Sequence, residues 1–337
     1  MRFALLLVLL LSSAAADDLP PYPLVTGDDL FIHRFETTCN TYFLTCRKTG
    51  RFVVIDPGVG TASAIAIHEG RGHQLMAVWI THEHGDHVSG LGELKLADQV
   101  PVLAHQDAID NIRRVRAGWD KGWGAELKVA PPTVPDSPID EKTRLQVGRL
   151  ELSVLHVPGH SAGSLCFRLG DRYLFCGDVL FKGSIGATHF EGCDPELFKT
   201  ALSDNLWDLP DPLVVLSGHM EQTTIGAEKG NNWLFQDSVR AARGLEPIPR
   251  PWLGIRLDPE FEQPGVRILE VTPDSPAAEA GLKPGDVIRG FAGVGIETAQ
   301  DLGPAIRKHT VGDEVALEIS RDGEEIQVTM NLGARPG

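Results

Sequence analysis

Thr81-His82-Glu83-His84-Gly85-Asp86-His87 is the stretch that decides the fold, and the apolar run Leu75 to Ile80 leads directly into it. The run predicts a buried strand, so the histidines stand where a strand passes into a loop. His82 and His84 lie two positions apart and project to the same side of an extended chain, so both can reach one metal ion. The aspartate and the last histidine follow the turn and can face a second ion. The alternative is a polar loop that is merely rich in histidine.

Three further ligand-type side chains each follow a predicted strand and a glycine-containing turn. They are His160, Asp178 and His219. If the four strand ends converge on one rim, they bring together five histidines and two aspartates. Neutral imidazole suits zinc or iron, and carboxylate suits harder divalent ions. The set is large enough for two metal ions with an open position on each.

Four motifs of this sequence together resemble the metallo-β-lactamase superfamily, and within it the glyoxalase II-like hydrolases. They are Thr-His-x-His-x-Asp-His at Thr81 to His87, Pro-Gly-His-Ser-x-Gly-Ser at Pro158 to Ser164, Gly-Asp-x-Leu-Phe at Gly177 to Phe181, and Gly-His at Gly218 with Thr-Thr-Ile-Gly from Thr223. The resemblance covers about residues 28 to 235. It implies an α/β fold, the αββα sandwich, in which two mixed sheets pack face to face with helices outside. The alternation of predicted strands and helices along the chain fits that architecture.

The resemblance also implies a ligand set for two divalent metal ions, with zinc as the default and iron or manganese as alternatives. The first ion would be held by His82, His84 and His160, the second by Asp86, His87 and His219, and Asp178 would bridge them. A metal-bridging hydroxide would then attack a thioester or ester carbonyl, with Asp86 as the catalytic residue that orients it. A thiolate is stable near its ordinary pKa of about 8.5, so a thioester needs no general acid. The expected activity is that of a metallo-hydrolase similar to hydroxyacylglutathione hydrolase, acting on a small molecule.

Departures from the family pattern leave the substrate open. Ala187 stands where relatives carry a cation, and Lys182 and His189 are weak candidates to replace it in substrate binding. Met220 stands where glycine often follows the last histidine. The alternatives are a secreted β-lactamase, against which Asp178 argues, a mononuclear iron enzyme similar to persulfide dioxygenases, and a non-catalytic scaffold.

Composition and the N-terminus predict the compartment and exclude one class of partner. The net charge of −15 argues against nucleic-acid binding, which needs clustered lysine and arginine. Residues 1–16 predict a cleaved secretory signal, because Arg2, the nine apolar residues Phe3 to Leu11 and small residues up to Ala16 follow in order. An uncleaved anchor is the alternative, although the run is far short of the ~20 residues that span a bilayer. We expect a secreted or periplasmic protein with no membrane anchor after cleavage.

Two smaller features have competing interpretations. The five cysteines are an odd number without a dense framework, which favours buried thiols over a disulfide. Gly118 to Gly124 carries Trp119 and Trp123 among three glycines, a composition that fits neither a helix nor a strand. One hypothesis is a mobile loop whose indoles cover the metal cleft, and the other is a loop that its tryptophans pin to the surface.

The rest of the first domain, residues 17–243, alternates predicted strands and helices. The pattern includes an irregular arm over Asp17 to Asp29 and helices over Leu91 to Ala97, Pro195 to Leu209 and Asn231 to Arg243. Residues 244–251 predict a linker, since three prolines in eight residues favour stiff extended structure.

A second domain is predicted over residues 252–333, where Asp274 to Asp286 resembles the PDZ domains attached to bacterial periplasmic proteases. The resemblance implies a small α+β fold. The amides of Leu253, Gly254 and Ile255 would capture the C-terminal carboxylate of a partner protein while its peptide adds a strand. The alternative is a PDZ fold kept only for dimerisation or stability.

Overall fold

The computed structural model describes residues 25–94 and 100–335. The chain divides into two compact units, with the division after Glu246. The predicted signal over residues 1–16 lies outside the described residues. Within the described part of the chain, no helix is both long and apolar enough to cross a bilayer.

The strands of the first unit form two large sheets and one small hairpin. In chain order they are β1 (Val25–Thr26), β2 (Leu30–Glu36), β3 (Asn40–Cys46), β4 (Arg51–Ile55), β5 (Gln74–Trp79), β6 (Val102–Ala104), β7 (Ser137–Pro138), β8 (Arg144–Val147), β9 (Leu150–His156), β10 (Leu165–Leu169), β11 (Tyr173–Gly177), β12 (Leu180–Phe181), β13 (Ser184–Ile185), β14 (Val214–Ser217) and β15 (Thr223–Thr224). The first sheet has the order β1-β2-β3-β4-β5-β6-β7, and the second has the order β15-β14-β11-β10-β9-β8. Both sheets are mixed, because β4, β5, β6 and β7 run parallel in the first and β11 and β14 run parallel in the second.

Seven helices of the first unit are described. They are α1 (Thr61–Gly70), α2 (Gly85–Val88), α3 (Gln106–Arg116), α4 (Trp123–Leu127), α5 (Pro195–Asn205), α6 (Ile225–Asn231) and α7 (Trp233–Ala242).

Apolar side chains fill three layers, which confirms the predicted αββα sandwich. The two sheets pack face to face, as where Trp79 on β5 lies 5.3 Å from Phe167 on β10 between ring centroids. The outer face of the first sheet packs against α1 and α3, with Ile109 among the buried contacts. The outer face of the second sheet packs against α5 and α7, with Phe198 and Phe235 buried. Strand β3 is buried along its whole length because both of its faces are covered.

Several predicted elements differ from the structure. The arm over Asp17 to Asp29 contains β1, which pairs with β2, although residues 17–24 lie outside the described part. Of the helix predicted over Leu91 to Ala97, the described residues show only a 3-10 turn, Ser89–Gly92, and residues 95–97 are not described. The helix from Pro195 ends at Asn205, and turns follow ahead of Pro210, since the residue before proline disfavours helix.

The helix predicted over Asn231 to Arg243 is the shorter α7, and α6 comes before it. Asn232 separates the two helices with an extended backbone. Its side chain accepts a hydrogen bond from the amide of Phe235 and so caps α7. No helix was predicted over α6, which begins within the Thr-Thr-Ile-Gly motif.

The tryptophan-rich segment is helical, so the prediction of a structureless loop was wrong. Trp119–Lys121 forms a 3-10 turn, and α4 begins at Trp123. Trp119 is buried, and its indole nitrogen donates to the carbonyl of Val129 at 3.2 Å. That tryptophan pins the segment instead of covering the cleft, and the side chain of Trp123 is outside the described part of the chain.

The cysteines of the chain are free, as the spacing predicted. Four of them are buried, and only Cys193 is partly accessible.

The second unit is a small α+β domain. Its elements are β16 (Pro251–Trp252), β17 (Ile255–Leu257), β18 (Val266–Val271), α8 (Pro276–Glu279), β19 (Val287–Phe291), β20 (Val294–Gly295), α9 (Ala299–Ile306), β21 (Glu314–Arg321), β22 (Glu324–Asn331) and β23 (Gly333–Ala334). Strand β17 lies at one edge of the main sheet, whose order is β17-β18-β19-β21-β22. Ser275 caps α8 by accepting from the amide of Ala278.

Candidate metal centre

The structure brings the predicted ligands of the first metal ion together. Strand β5 ends at Trp79, and the chain turns so that the rings of His82 and His84 meet. His82 Nε2 lies 3.1 Å from His84 Nδ1, and His160 Nε2 lies 3.0 Å from the same His84 nitrogen. His160 arrives on the turn after β9. The three nitrogens therefore converge on one point, as the ligands of a single cation do.

The predicted ligands of the second ion form a neighbouring group. His219 Nε2 lies 3.0 Å from Asp86 Oδ2, and His87 Nε2 lies 3.6 Å from the same oxygen. Asp86 and His87 come from α2, and His219 follows β14. His87 is fully buried, whereas the side chain of His219 is 38% exposed, so this group opens toward solvent on the His219 side.

Asp178 lies between the two groups. Its Oδ1 is 3.3 Å from His87 Nε2, and its Oδ2 is 3.6 Å from His219 Nε2 and 3.8 Å from His160 Nε2. Strand β11 delivers this carboxylate at its carboxyl end. The carboxylate thus faces ligands of both groups at once, which is the position that a bridging ligand needs.

Two polar atoms at this centre fit a metal-binding role. His87 Nε2 and Asp178 Oδ1 are buried and lack a hydrogen bond of acceptable geometry. A buried polar atom without a partner is destabilising, and a cation between the two would satisfy both. Imidazole nitrogens and carboxylate oxygens are also the ligands that zinc and iron take in proteins. The residues present therefore fit a two-metal site.

Asp56 supports the ligands from behind. Its Oδ1 accepts from the amide of Thr81 at 2.7 Å, and its Oδ2 accepts from the Thr81 hydroxyl at 2.6 Å. The same Oδ2 is 2.9 Å from His87 Nδ1, and Thr81 Oγ1 is 3.0 Å from His82 Nδ1. A carboxylate only accepts, so His87 donates from Nδ1 and keeps Nε2 bare. The Thr81 hydroxyl donates its hydrogen to Asp56, so its oxygen can only accept from His82 Nδ1. His82 therefore also donates from Nδ1 and keeps Nε2 bare.

A third cluster of ligand-type residues, Asp56, His82 and His87, is also close enough for a cation. All three are buried, and the oxygens of Asp56 already accept the hydrogen bonds from Thr81 and His87. The cluster is accordingly the inner support of the two ligand groups and needs no third ion.

The electrostatics of the centre act in opposite directions on two of its imidazoles. Burial by itself lowers the pKa of His87, but the neighbouring carboxylates outweigh it, and the net pKa lies well above the usual value. Burial, reinforced by His87 and His84, lowers the pKa of His82 well below its usual value. Burial by itself raises the pKa of Asp178, but the nearby His87 outweighs it, and the net pKa lies below the usual range. Ionised Asp178 and neutral His82 are the states that a divalent cation requires of its ligands, and a cation that binds at His87 would have to displace the proton from Nε2.

Glu83 joins two ligand loops, a role that the sequence did not reveal. It is buried, and it accepts from the Ser161 hydroxyl at 2.5 Å and from the Asn111 amide nitrogen at 2.6 Å. Ser161 follows His160, and Asn111 lies on α3. Glu83 therefore ties the first ligand loop to the second and to the helix behind them. Its position between two ligand histidines was the only signal for it.

Gly218 shows why the last motif needs glycine. A Cβ at this position would lie 2.3 Å from Asp178 Oδ1 and 2.5 Å from His87 Cε1, which no side chain tolerates.

Two cavities open beside the centre. A cleft of about 600 Å³ is lined by metal ligands together with Phe181, Ala187, Phe190, Glu191 and Met220. A second cavity of about 550 Å³ is lined by residues that include Arg34, Lys182 and Glu221. His219 and Met220 line both.

The two weakly predicted substrate residues do not line the metal cleft. Lys182 lies in the second cavity and pairs with Glu221 at 2.6 Å. The rings of His189 and Phe190 lie 4.1 Å apart between centroids, tilted by 42°. The carbonyl of Ala187 accepts from His160 Nδ1 at 2.8 Å, which leaves Nε2 of that histidine bare. A role for Lys182 or His189 in binding substrate stays a prediction.

Comparison with known proteins gives the family. Residues 34–219 match the metallo-beta-lactamase superfamily, which is more than half of the chain. The chain belongs to the metallo-β-lactamase superfamily. Residues 251–332 match the PDZ domain. This superfamily member is therefore a hydrolase that carries a PDZ domain, as its motifs predicted.

Individual relatives share the first unit. The "Probable metallo-hydrolase YqgX" of Bacillus subtilis is 31% identical over 57% of this chain and 90% of its own length. The "Hydroxyacylglutathione hydrolase GloC" of Haemophilus influenzae is 29% identical over 53% of this chain and 84% of its own length. The solved structure of TTHA1623 in a di-iron-bound form is 31% identical, with a TM-score of 0.50, and covers 63% of this chain and 98% of its own.

Proposed function

We propose that this protein is a dinuclear metal-dependent hydrolase of thioesters or similar esters. The observation that carries the proposal is the position of Asp178, whose two oxygens face His87, His219 and His160 from between two groups of ligand atoms. A mononuclear site would need only one of those groups. When bound, two divalent ions would supply a hydroxide nucleophile near neutral pH and polarise the carbonyl oxygen of the substrate.

The protein's own residues set the geometry for that attack. Asp86 lies within 3.6 Å of both His87 and His219, so it holds the second group together on the side that opens to the cleft. The described residues that line the cleft include one titratable side chain outside the predicted ligand set, that of Glu191. The described lining thus holds no lysine, tyrosine or cysteine that could protonate a leaving group. A thioester fits this arrangement because a thiolate departs without a general acid.

Zinc is the default metal for histidine-rich sites. Iron is supported by TTHA1623, which was solved in a di-iron-bound form and is 31% identical to this chain. Elemental analysis of protein expressed in medium supplied with both metals tests the proposal, and two equivalents per chain are expected. A value near one in metal-replete protein would contradict the dinuclear proposal.

Substrate class is tested by comparing S-lactoylglutathione, nitrocefin and an acyl-lactone on one sample. We expect thioester or lactone hydrolysis to exceed nitrocefin hydrolysis. A preference for nitrocefin would instead make the protein a β-lactamase. Oxygen uptake with glutathione persulfide, at one iron per chain, would make it a persulfide dioxygenase.

For the second unit we propose docking of a C-terminal peptide. The carbonyls of Leu253 and Gly254 accept from the amides of Ala277 and Thr272, each at 2.8 Å. Because a peptide N–H points opposite to the preceding C=O, the amides of Gly254 and Ile255 turn the other way, beside the edge strand β17. Gly254 has a φ of +86°, and a Cβ there would lie 2.1 Å from the Cβ of Ser275. These features support a carboxylate nest next to a strand that a peptide can extend.

A peptide library on the isolated unit tests this docking. Micromolar binding is expected for some free C-terminal peptides, with loss when the same peptide is amidated. Equal binding of the amidated form would refute carboxylate capture.

We also propose that the protein is exported, on the strength of the signal pattern over residues 1–16. N-terminal sequencing of the mature protein from fractionated cells should begin at Asp17 in the exported fraction. A cytoplasmic protein that retains Met1 would refute the proposal.

A further inference from the structure

Two exposed apolar side chains stand at the mouth of the metal cleft. Phe190 is 53% exposed and Met220 is 60% exposed, and both line the cavity next to the metal ligands. Phe181 and Ala187 extend the same apolar lining. Large apolar side chains this exposed are normal when they are scattered, but here they are gathered around one reactive centre.

Phe190 is held against the centre itself. The edge of its ring faces the ring of the predicted ligand His84, at 6.2 Å between centroids and an interplanar angle of 82°. His189 packs on Phe190 at 4.1 Å. The exposed face of Phe190 therefore lies at the mouth of the cleft beside the predicted ligand His84.

Met220 keeps its side chain at a backbone position that favours glycine. Its φ is +64°, in the left-handed region where a Cβ is strained. The surroundings fix this conformation, because its carbonyl accepts from Asn40 Nδ2 at 2.9 Å and from Arg34 Nη1 at 3.4 Å. A strained residue that the structure holds in place is a sign of function. The thioether of methionine is flexible and adapts to apolar groups of different shape.

Apart from the metal ions, the cleft offers an anionic group no cationic side chain among the described lining residues. Among the described lining residues outside the ligand set, the one charged side chain is Glu191, which is acidic. The second cavity is lined by two cations, Arg34 and Lys182, and each has an acidic partner. Arg34 pairs with Glu36 at 2.5 Å, and Lys182 pairs with Glu221 at 2.6 Å.

From these observations we infer that the cleft selects an uncharged, apolar group next to the scissile bond, with Phe190 and Met220 as specificity-determining residues. The inference rests on the proposed hydrolase function and names its substrate class as neutral thioesters or esters with an apolar acyl group. Glutathione conjugates, which carry two carboxylates, would be poor substrates because no cationic side chain is among the described residues that line the cleft.

Four thioesters test the inference. They combine two acyl groups, phenylacetyl and lactoyl, with two thiols, N-acetylcysteamine and glutathione. For the metal-replete protein we expect kcat/KM for phenylacetyl-N-acetylcysteamine to exceed that for S-lactoylglutathione by at least tenfold. In Phe190→Ala and in Met220→Ala, the preference for phenylacetyl over lactoyl should fall at least threefold. Leu234→Ala, which removes a 46% exposed apolar side chain on α7, is the matched control and should leave the preference unchanged.

The result that would overturn the inference is S-lactoylglutathione as the best of the four, or a phenylacetyl preference that survives both variants. Binding provides a readout without turnover. Saturation-transfer NMR should show phenylacetamide bound by the wild-type protein, weakened in Phe190→Ala, with no signal from S-methylglutathione. If no thioester is hydrolysed but phenylacetamide still binds through Phe190, the hydrolase proposal fails and the apolar site stands. If thioesters are hydrolysed without a preference for the apolar acyl group, the hydrolase proposal stands and the inference about the apolar site fails.

Discussion

Asp56→Asn is the substitution that most directly tests how the metal ligands are held. The change keeps the shape of the side chain but replaces one carboxylate oxygen with an NH₂ donor. If the amide oxygen keeps the bond from the Thr81 amide, the new nitrogen faces the Thr81 hydroxyl and His87 Nδ1, which lie 2.6 and 2.9 Å from the oxygen it replaces. A donor then faces the N–H of His87. The proton on that ring is expected to move to Nε2, the nitrogen that should bind metal.

The expected loss is largest at the second metal position, because His87 contacts Asp56 directly. Loss of an outer hydrogen-bond partner of a metal ligand weakens metal binding by roughly 10–100-fold, or about 1.4–2.8 kcal/mol. His82 contacts Asp56 only through Thr81, so we expect metal affinity at the first position to fall less. A protein that binds two ions with similar affinity should therefore become one that binds a first ion well and a second poorly.

Titration of metal-free protein with zinc against a competing chelator measures both affinities. Cobalt absorption gives an independent signal as each position fills. Asp286→Asn is the matched control, because Asp286 is also a buried carboxylate but pairs with Arg321 in the second unit. If Asp56→Asn weakens both positions equally, or neither, then Asp56 does not set the tautomer of His87 as argued.

Further predictions concern the bridge, the two units, acid stability and the thiols. Asp178→Ala should lower metal content from two equivalents toward one by elemental analysis and abolish most turnover, since one carboxylate serves both ions. Truncation after Glu246 should leave a folded first unit with near-original kcat/KM on a small thioester, and circular dichroism with kinetics checks this. Burial lowers the pKa of His68 from 6.5 to about 3, so the unfolded chain takes up this proton first and stability falls as pH drops from about 6.5 toward 3. Relative to His68→Gln, the wild type should lose on the order of 2–3 kcal/mol more between pH 7 and pH 4 in urea unfolding. A thiol reagent should label Cys193 first in the native protein and five cysteines after unfolding.

Sequence alone determined the parts of the protein that depend on neighbours along the chain. The ligands could be found because each follows an apolar strand within a few residues, and strand periodicity is a local signal. The helix predicted from Pro195 begins at that residue in the structure, because proline at a first helical position is also a local signal. The PDZ motif likewise lies in one continuous stretch.

Only the tertiary structure decided how side chains distant in sequence meet. Asp56 and Thr81 are 25 positions apart, and the strands that carry the chain to them, β4 and β5, pair in parallel with a bulge that no local pattern predicts. Glu83 meets Ser161 across two loops from different sheets. The sequence around Trp119 fitted either a side chain that covers the cleft or a buried one, and its contact with the carbonyl of Val129 decided for burial. Composition gives a side chain's chemistry, but its partners depend on strand register and on the direction in which each Cβ leaves the backbone.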